Sequence, residues 1–149
     1  MMKKLSKAVT LSLVSLFSLN LVGCATTPKG SIVYGVDQSN SVAVAEVVSN
    51  YVVLHSPAAN TNLLIVPDQN KSSVYETVKT NLQKKGYAIA EAPVPVNTTV
   101  TVLKYRVSPI AENSVSVVIN LAGIEAVGMA LKPKNQPWQP FFGYTVKEN

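Results

Sequence analysis

Between Ser41 and Leu54 the apolar residues Val44, Val47, Val48 and Tyr51 follow the i, i+3, i+4, i+7 spacing of one helical face. This predicts an amphipathic helix, even though valine gives up rotamer freedom in one. Ser-Pro and Asn within His55 to Asn60 then mark a loop, and Thr61 to Val66 reads as a short strand closed by Pro67-Asp68. The second helix is written more plainly. Ser73-Val74-Tyr75-Glu76 fits a capping box, and Val74, Val78 and Leu82 recur at every fourth position with Lys79, Lys84 and Lys85 on the other side. Positive charge suits the last turn, and Gly86 supplies a left-handed stop.

Beyond Gly86 the period changes from helical to alternating. Tyr87 to Glu91 is a short strand, and Pro93 and Pro95 interrupt the chain after it. Thr98 to Val107 is rich in Thr and Val, but its apolar parity moves from Val100 and Val102 to Leu103, Tyr105 and Val107. A bulge near Val102 or Leu103 accounts for that phase change. Ser114 to Leu121 alternates cleanly, with Val115, Val117, Ile119 and Leu121 on one side. Gly123 to Leu131 is apolar with small residues interspersed, and reads as a strand covered on both faces. A proline-rich turn, Lys132 to Pro140, leads to a last strand from Phe141 to Val146. The order is helix, strand, helix, strand, then a β meander. It predicts an α+β fold, with two helices packed on one face of a mixed, mainly antiparallel sheet.

Ahead of this body the chain has a different character. Lys3, Lys4 and Lys7 precede an apolar run without charge from Ala8 to Val22, which is the layout of a bacterial export signal. The run ends in Leu21-Val22-Gly23-Cys24, the pattern cut by lipoprotein signal peptidases. Cys24 is therefore expected as the first residue of the mature chain, carrying a thiol-linked diacylglycerol and an N-acyl chain. The run is shorter than the roughly 20 apolar residues of a permanent span and is interrupted by Ser12, Ser15, Ser18 and Asn20. Ala25, rather than Asp, follows the Cys, which points to the periplasmic face of the outer membrane in a Gram-negative bacterium.

These patterns divide the chain into a signal peptide at 1–23, a lipidated tether at 24–40 and a single periplasmic domain at 41–149. The tether is rich in Thr, Ser, Gly, Asn and Pro, with one apolar knot at Ile32, Val33 and Tyr34. The knot has two readings, a short edge strand or a segment that orders against a partner.

Charge and chemistry narrow the function by exclusion. Of 13 Lys and Arg residues, Lys3, Lys4 and Lys7 leave with the signal, so ten face eight Asp and Glu. A surface so nearly balanced gives no reason to expect a nucleic-acid groove. Cys24 is the one cysteine and His55 the one histidine, so zinc-ligand spacing is absent. No Gly-x-Ser-x-Gly elbow and no phosphate-cradling glycine loop occur. The expectation is a protein that is not an enzyme, with no catalytic residue, metal or cofactor beyond the lipid on Cys24. The C-terminal aromatics Trp138, Phe141, Phe142 and Tyr144 carry two readings. They close the core as a final strand, or they present an aromatic anchor to a protein partner.

Several short pieces together resemble the TrbH family of conjugal transfer lipoproteins. They are Leu21-Val22-Gly23-Cys24 with its short tether, Ser56-Pro57-Ala58-Ala59-Asn60-Thr61-Asn62-Leu63 before the second helix, Leu82-Gln83-Lys84-Lys85-Gly86-Tyr87-Ala88 at its exit, and Leu103-Lys104-Tyr105 in the first meander strand. The resemblance implies an assembly component of a type IV secretion, mating-pair formation core. Its implied partners are membrane lipid and channel-forming core subunits, with further copies of itself within a ring. A reading of a different class stays beside it: a periplasmic lipoprotein that binds a small ligand or a cell-wall polymer between helices and sheet.

Overall fold

The structure, a computed structural model, describes residues 30–147. Cys24, the signal peptide and the first part of the tether lie outside the described residues. Two α-helices and seven strands form the body: β1 (Ile32–Val33), α1 (Ser41–His55), β2 (Asn62–Ile65), α2 (Ser73–Lys84), β3 (Ala88–Ala90), β4 (Thr101–Ala111), β5 (Ser114–Leu121), β6 (Ile124–Leu131) and β7 (Gln139–Val146). The sheet runs β3-β2-β4-β5-β6-β7, and β1 joins it on β4. The ladders from β4 to β7 are antiparallel, whereas β2 is parallel to both β3 and β4. The α+β fold expected from the pattern is the one the chain adopts, with both helices over one face of a mixed sheet.

Helix α1 forms despite its valines because tertiary burial outweighs propensity. Val44, Val47, Val48 and Val52 are wholly buried against α2 and strands β5 to β7. Each such side chain contributes roughly 1.5–3 kcal/mol of burial, well above the few tenths that its helix propensity costs. Helix α2 buries Val74, Tyr75, Val78 and Leu82. Its cap is Ser72, one residue earlier than the box read from the sequence, and the Ser72 hydroxyl accepts from the Tyr75 N–H. The reason lies upstream: Asp68 accepts from the Ser72 N–H at 2.8 Å and from the Ser72 hydroxyl, and fixes that residue as the turn into the helix. At the other end Gly86 adopts φ +87°, and the Tyr87 N–H reaches back to the Leu82 carbonyl. Tyr87 then donates its hydroxyl to the Ser56 carbonyl, which ties the end of α1 to the start of β3.

Three expectations change in detail. No bulge occurs at Val102 or Leu103; the β4–β5 ladder is regular from Leu103 to Pro109 and shifts register only between Pro109 and Ala111. The apparent phase change arises because Leu103, Tyr105 and Val107 face the helices while Val102, beside Leu64, faces the other way. Among the described residues, strand β6 is covered by other elements on one face only. Its small residues Ala126, Gly128 and Ala130 lie under α1, where backbones come close, and Val127, Met129 and Leu131 take the opposite, uncovered face. Lastly, residues 31–34, placed in the tether by composition, run along β4, so the ordered body begins before Ser41.

Candidate functional site

Strand β1 owes its place to a vacancy along β4. That strand has 11 residues, and β2 pairs with only its first three, Thr101 to Leu103. Beyond them β2 turns away at Val66 and Pro67, and β1 takes over with Ile32 opposite Arg106 and Val33 opposite Val107. The junction is closed by Ser31, which is almost wholly buried. Its hydroxyl donates to the Val66 carbonyl and accepts from the Tyr105 N–H at 3.2 Å, so it satisfies two backbone groups that the strand change would leave unpaired.

The lead-in from β1 to α1 is held in the same way. Asp37 accepts from the backbone of Ser39 and Asn40 and from the Ser39 hydroxyl, and these bonds hold its carboxyl below the ordinary range. Asn40 donates to the Gly35 carbonyl at 3.2 Å. Gly35 itself needs its φ of +63°, and a Cβ there would press on Pro109 at 2.9 Å.

On the side away from β4, Ser31 pairs in parallel with Asp68 just before β1, and beyond that bridge β1 has no further strand partner among the described residues. The Tyr34 N–H donates to the Val107 carbonyl at 3.0 Å, so strand alternation turns the peptide groups of Val33 away from β4. A groove of about 380 Å³ borders that side, walled by Tyr34 and Val36 on one flank and by Asp68, Gln69, Asn70 and Ser72 on the other. Val33 packs inward against the core, Ile32 is half-buried on the far face of the sheet, and Tyr34 is 63% exposed. Close by, Tyr105 is buried with no hydrogen-bond partner for its hydroxyl among the described residues. Burial, reinforced by the Asp68 charge, pushes that phenol far up.

The C-terminal aromatics separate into two kinds. Trp138 and Tyr144 pack against the core. Tyr144 lies edge-on to Tyr51, donates to the Val47 carbonyl at 2.7 Å and accepts from the Asn50 amide at 3.3 Å. Its burial raises its phenol above the usual value. Phe141 and Phe142 are about half exposed, at 50% and 52%. They diverge: Phe141 stands opposite Met129 on the uncovered sheet face, and Phe142 reaches toward Glu46, Asn50 and Lys85 on the helix side. β7 and β1 flank the β4–β5–β6 ladder from opposite sides, about 19 Å apart at the usual strand spacing. The two sets of candidate residues therefore do not form one site. Asp68, which sequence reading treated only as a loop signal, organises the groove. Its position four residues before the capping serine is the signal that could have found it.

His55 ends α1, exposed, with its ring 4.3 Å from that of Tyr51. Among the described residues no cluster of metal-ligating side chains occurs, and no helix is long and apolar enough to cross a membrane. A comparison with family models matches residues 26–140 to the one described as conjugal transfer protein TrbH. That match takes in β1, both helices and the sheet through β6, and stops before Phe141. No curated protein and no solved structure matches the chain.

Proposed function

Because the chain belongs to the TrbH family of conjugal transfer proteins, we propose that it is an outer-membrane lipoprotein that helps assemble the type IV secretion core. A conjugal transfer component associated with the envelope follows from the family itself. The finer role joins two features. Acyl chains on Cys24 fix the protein to the inner face of the outer membrane, and the open side of β1 takes an extended segment of a channel-forming subunit. The observation that carries the second feature is the flank of β1 past the Ser31–Asp68 bridge, where the peptide groups of Val33 face the groove at Gln69 and Asn70 and pair with no strand among the described residues. An edge strand with unpaired peptide groups is a template for a further strand, and an adjoining groove gives side chains of that strand a place. The position of β1 within the family match supports this side over β7, most of which lies outside the match.

Tyr34 offers the cleanest test, because it is exposed and its loss leaves the core alone. Tyr34→Ala is expected to keep the unfolding midpoint within error while reducing co-purification of the partner subunit several-fold. A photoreactive phenylalanine at position 34 is expected to crosslink to that subunit in intact cells. Unchanged recovery together with no crosslink at position 34 would place the interface elsewhere.

A further inference from the structure

The helices cover one face of the sheet, and the other face has no layer over it among the described residues. Its centre is a shallow depression of about 210 Å³ with Ile32, Lys104, Arg106, Val118, Asn120 and Glu125 around it. Gly30, where the described chain begins, lines the same depression. Gly30 lines the groove beside β1 as well, so the first described residue sits where the uncovered face meets that groove.

Chain length then decides which side meets the membrane, given the reading of Cys24 as the acylated residue on which this inference rests. Cys24 lies six residues before Gly30, a reach of at most about 20 Å fully extended. A globular body of this size is about 35 Å across. From Gly30 a tether this short brings the lipid to the uncovered face more readily than across the full depth of the domain to the outer side of the helices. It holds the domain with the uncovered sheet face toward the lipid. The chemistry of the face agrees with that orientation. Lys104 and Arg106 oppose the single carboxylate of Glu125, and Arg106 is exposed, with a planar guanidinium suited to phosphate. Phe141, half exposed on the same face, has the aromatic character found at headgroup depth.

We propose that the uncovered sheet face around Lys104 and Arg106 lies on the bilayer surface and binds anionic lipid headgroups. Strand addition at β1 and lipid contact at this face use different sides of the N-terminal segment, so both can operate in one molecule.

The test uses the lipidated full chain in vesicles of phosphatidylcholine with phosphatidylglycerol and a headgroup-borne quencher. With Cys24 acylated, Ser116→Cys on the uncovered face and Thr80→Cys on α2 each provide one labelling site. The label at position 116 is expected to be quenched and that at position 80 to be spared. Lys104→Gln and Arg106→Gln are each expected to lower the face-down population about fivefold, and pure phosphatidylcholine vesicles to act in the same direction. Equal quenching at both positions on acylated protein would overturn the orientation. Indifference to both substitutions and to the anionic lipid would overturn the headgroup contact. A mass showing Cys24 unmodified, with no flotation on vesicles, would refute the anchor and this inference together, an outcome distinct from the first two.

Discussion

Gly128→Val is expected to destabilise the domain by about 3 kcal/mol or more, the upper range for overpacking a filled core. Gly128 lies on β6 directly beneath α1. A Cβ added there would stand 2.7 Å from Val47 Cγ1 and 2.9 Å from Tyr144 Cε1, separations that real Cβ atoms do not show. Neither neighbour is free to retreat. Val47 sits on a helix whose carbonyl at that residue accepts from Tyr144, and Tyr144 is held by Asn50 and by the ring of Tyr51. Relief therefore requires α1 to lift, which exposes wholly buried valines along its length. Gly128→Ala brings only the first methyl and is expected to cost about 1–3 kcal/mol. Urea titration of the domain measures both. A Gly128→Val midpoint equal to that of the parent would show that α1 does not rest on β6 at this point.

Cys24→Ser is expected to abolish delivery to the outer membrane and to reduce plasmid transfer to the level of a strain lacking the protein. On the proposed reading of Cys24 as the acylated residue, a serine there has no thiol to receive diacylglycerol, and the precursor is expected to stay uncut. Burial of acyl chains contributes about 0.8 kcal/mol per methylene, which makes one chain marginal and several chains firm. Among the described residues no helix is long and apolar enough to span a bilayer. Membrane fractionation and mating frequency give the two readouts. Full transfer by a strain whose protein carries Cys24→Ser would separate the function from the lipid.

The main architecture was legible because each element carries its own period. Val74, Val78 and Leu82 lie on the buried face of α2, and Val115, Val117, Ile119 and Leu121 on the buried face of β5, as their spacing says. What escaped depends on neighbours distant in sequence. The capping serine is Ser72 because Asp68 grips it, and no local pattern distinguishes it from Ser73. The small residues of β6 suggested cover on two sides, whereas they record the close approach of α1 on one. Strand β1 is two residues long, and its existence rests on the stretch of β4 that β2 leaves free and on the hydrogen bonds of Ser31. Sequence leaves the Ile32–Tyr34 knot open between an edge strand and a segment that orders on a partner, and pairing with β4 is the edge-strand reading. The aromatic cluster at the C-terminus reads as one feature in sequence, but within β7 the alternation of a strand sends the neighbours Phe141 and Phe142 to opposite faces. Of the candidate site, the sequence marked Ile32, Val33 and Tyr34 but not the opposing wall from Asp68 to Ser72.

The most direct test of the assembly role is purification of the affinity-tagged, lipidated protein from outer membranes, with mass spectrometry of the proteins that accompany it. The expected result is recovery of channel-forming subunits of the transfer apparatus, with the N-terminal peptide carrying its acyl chains. Recovery of the acylated protein alone, from cells active in transfer, would contradict it.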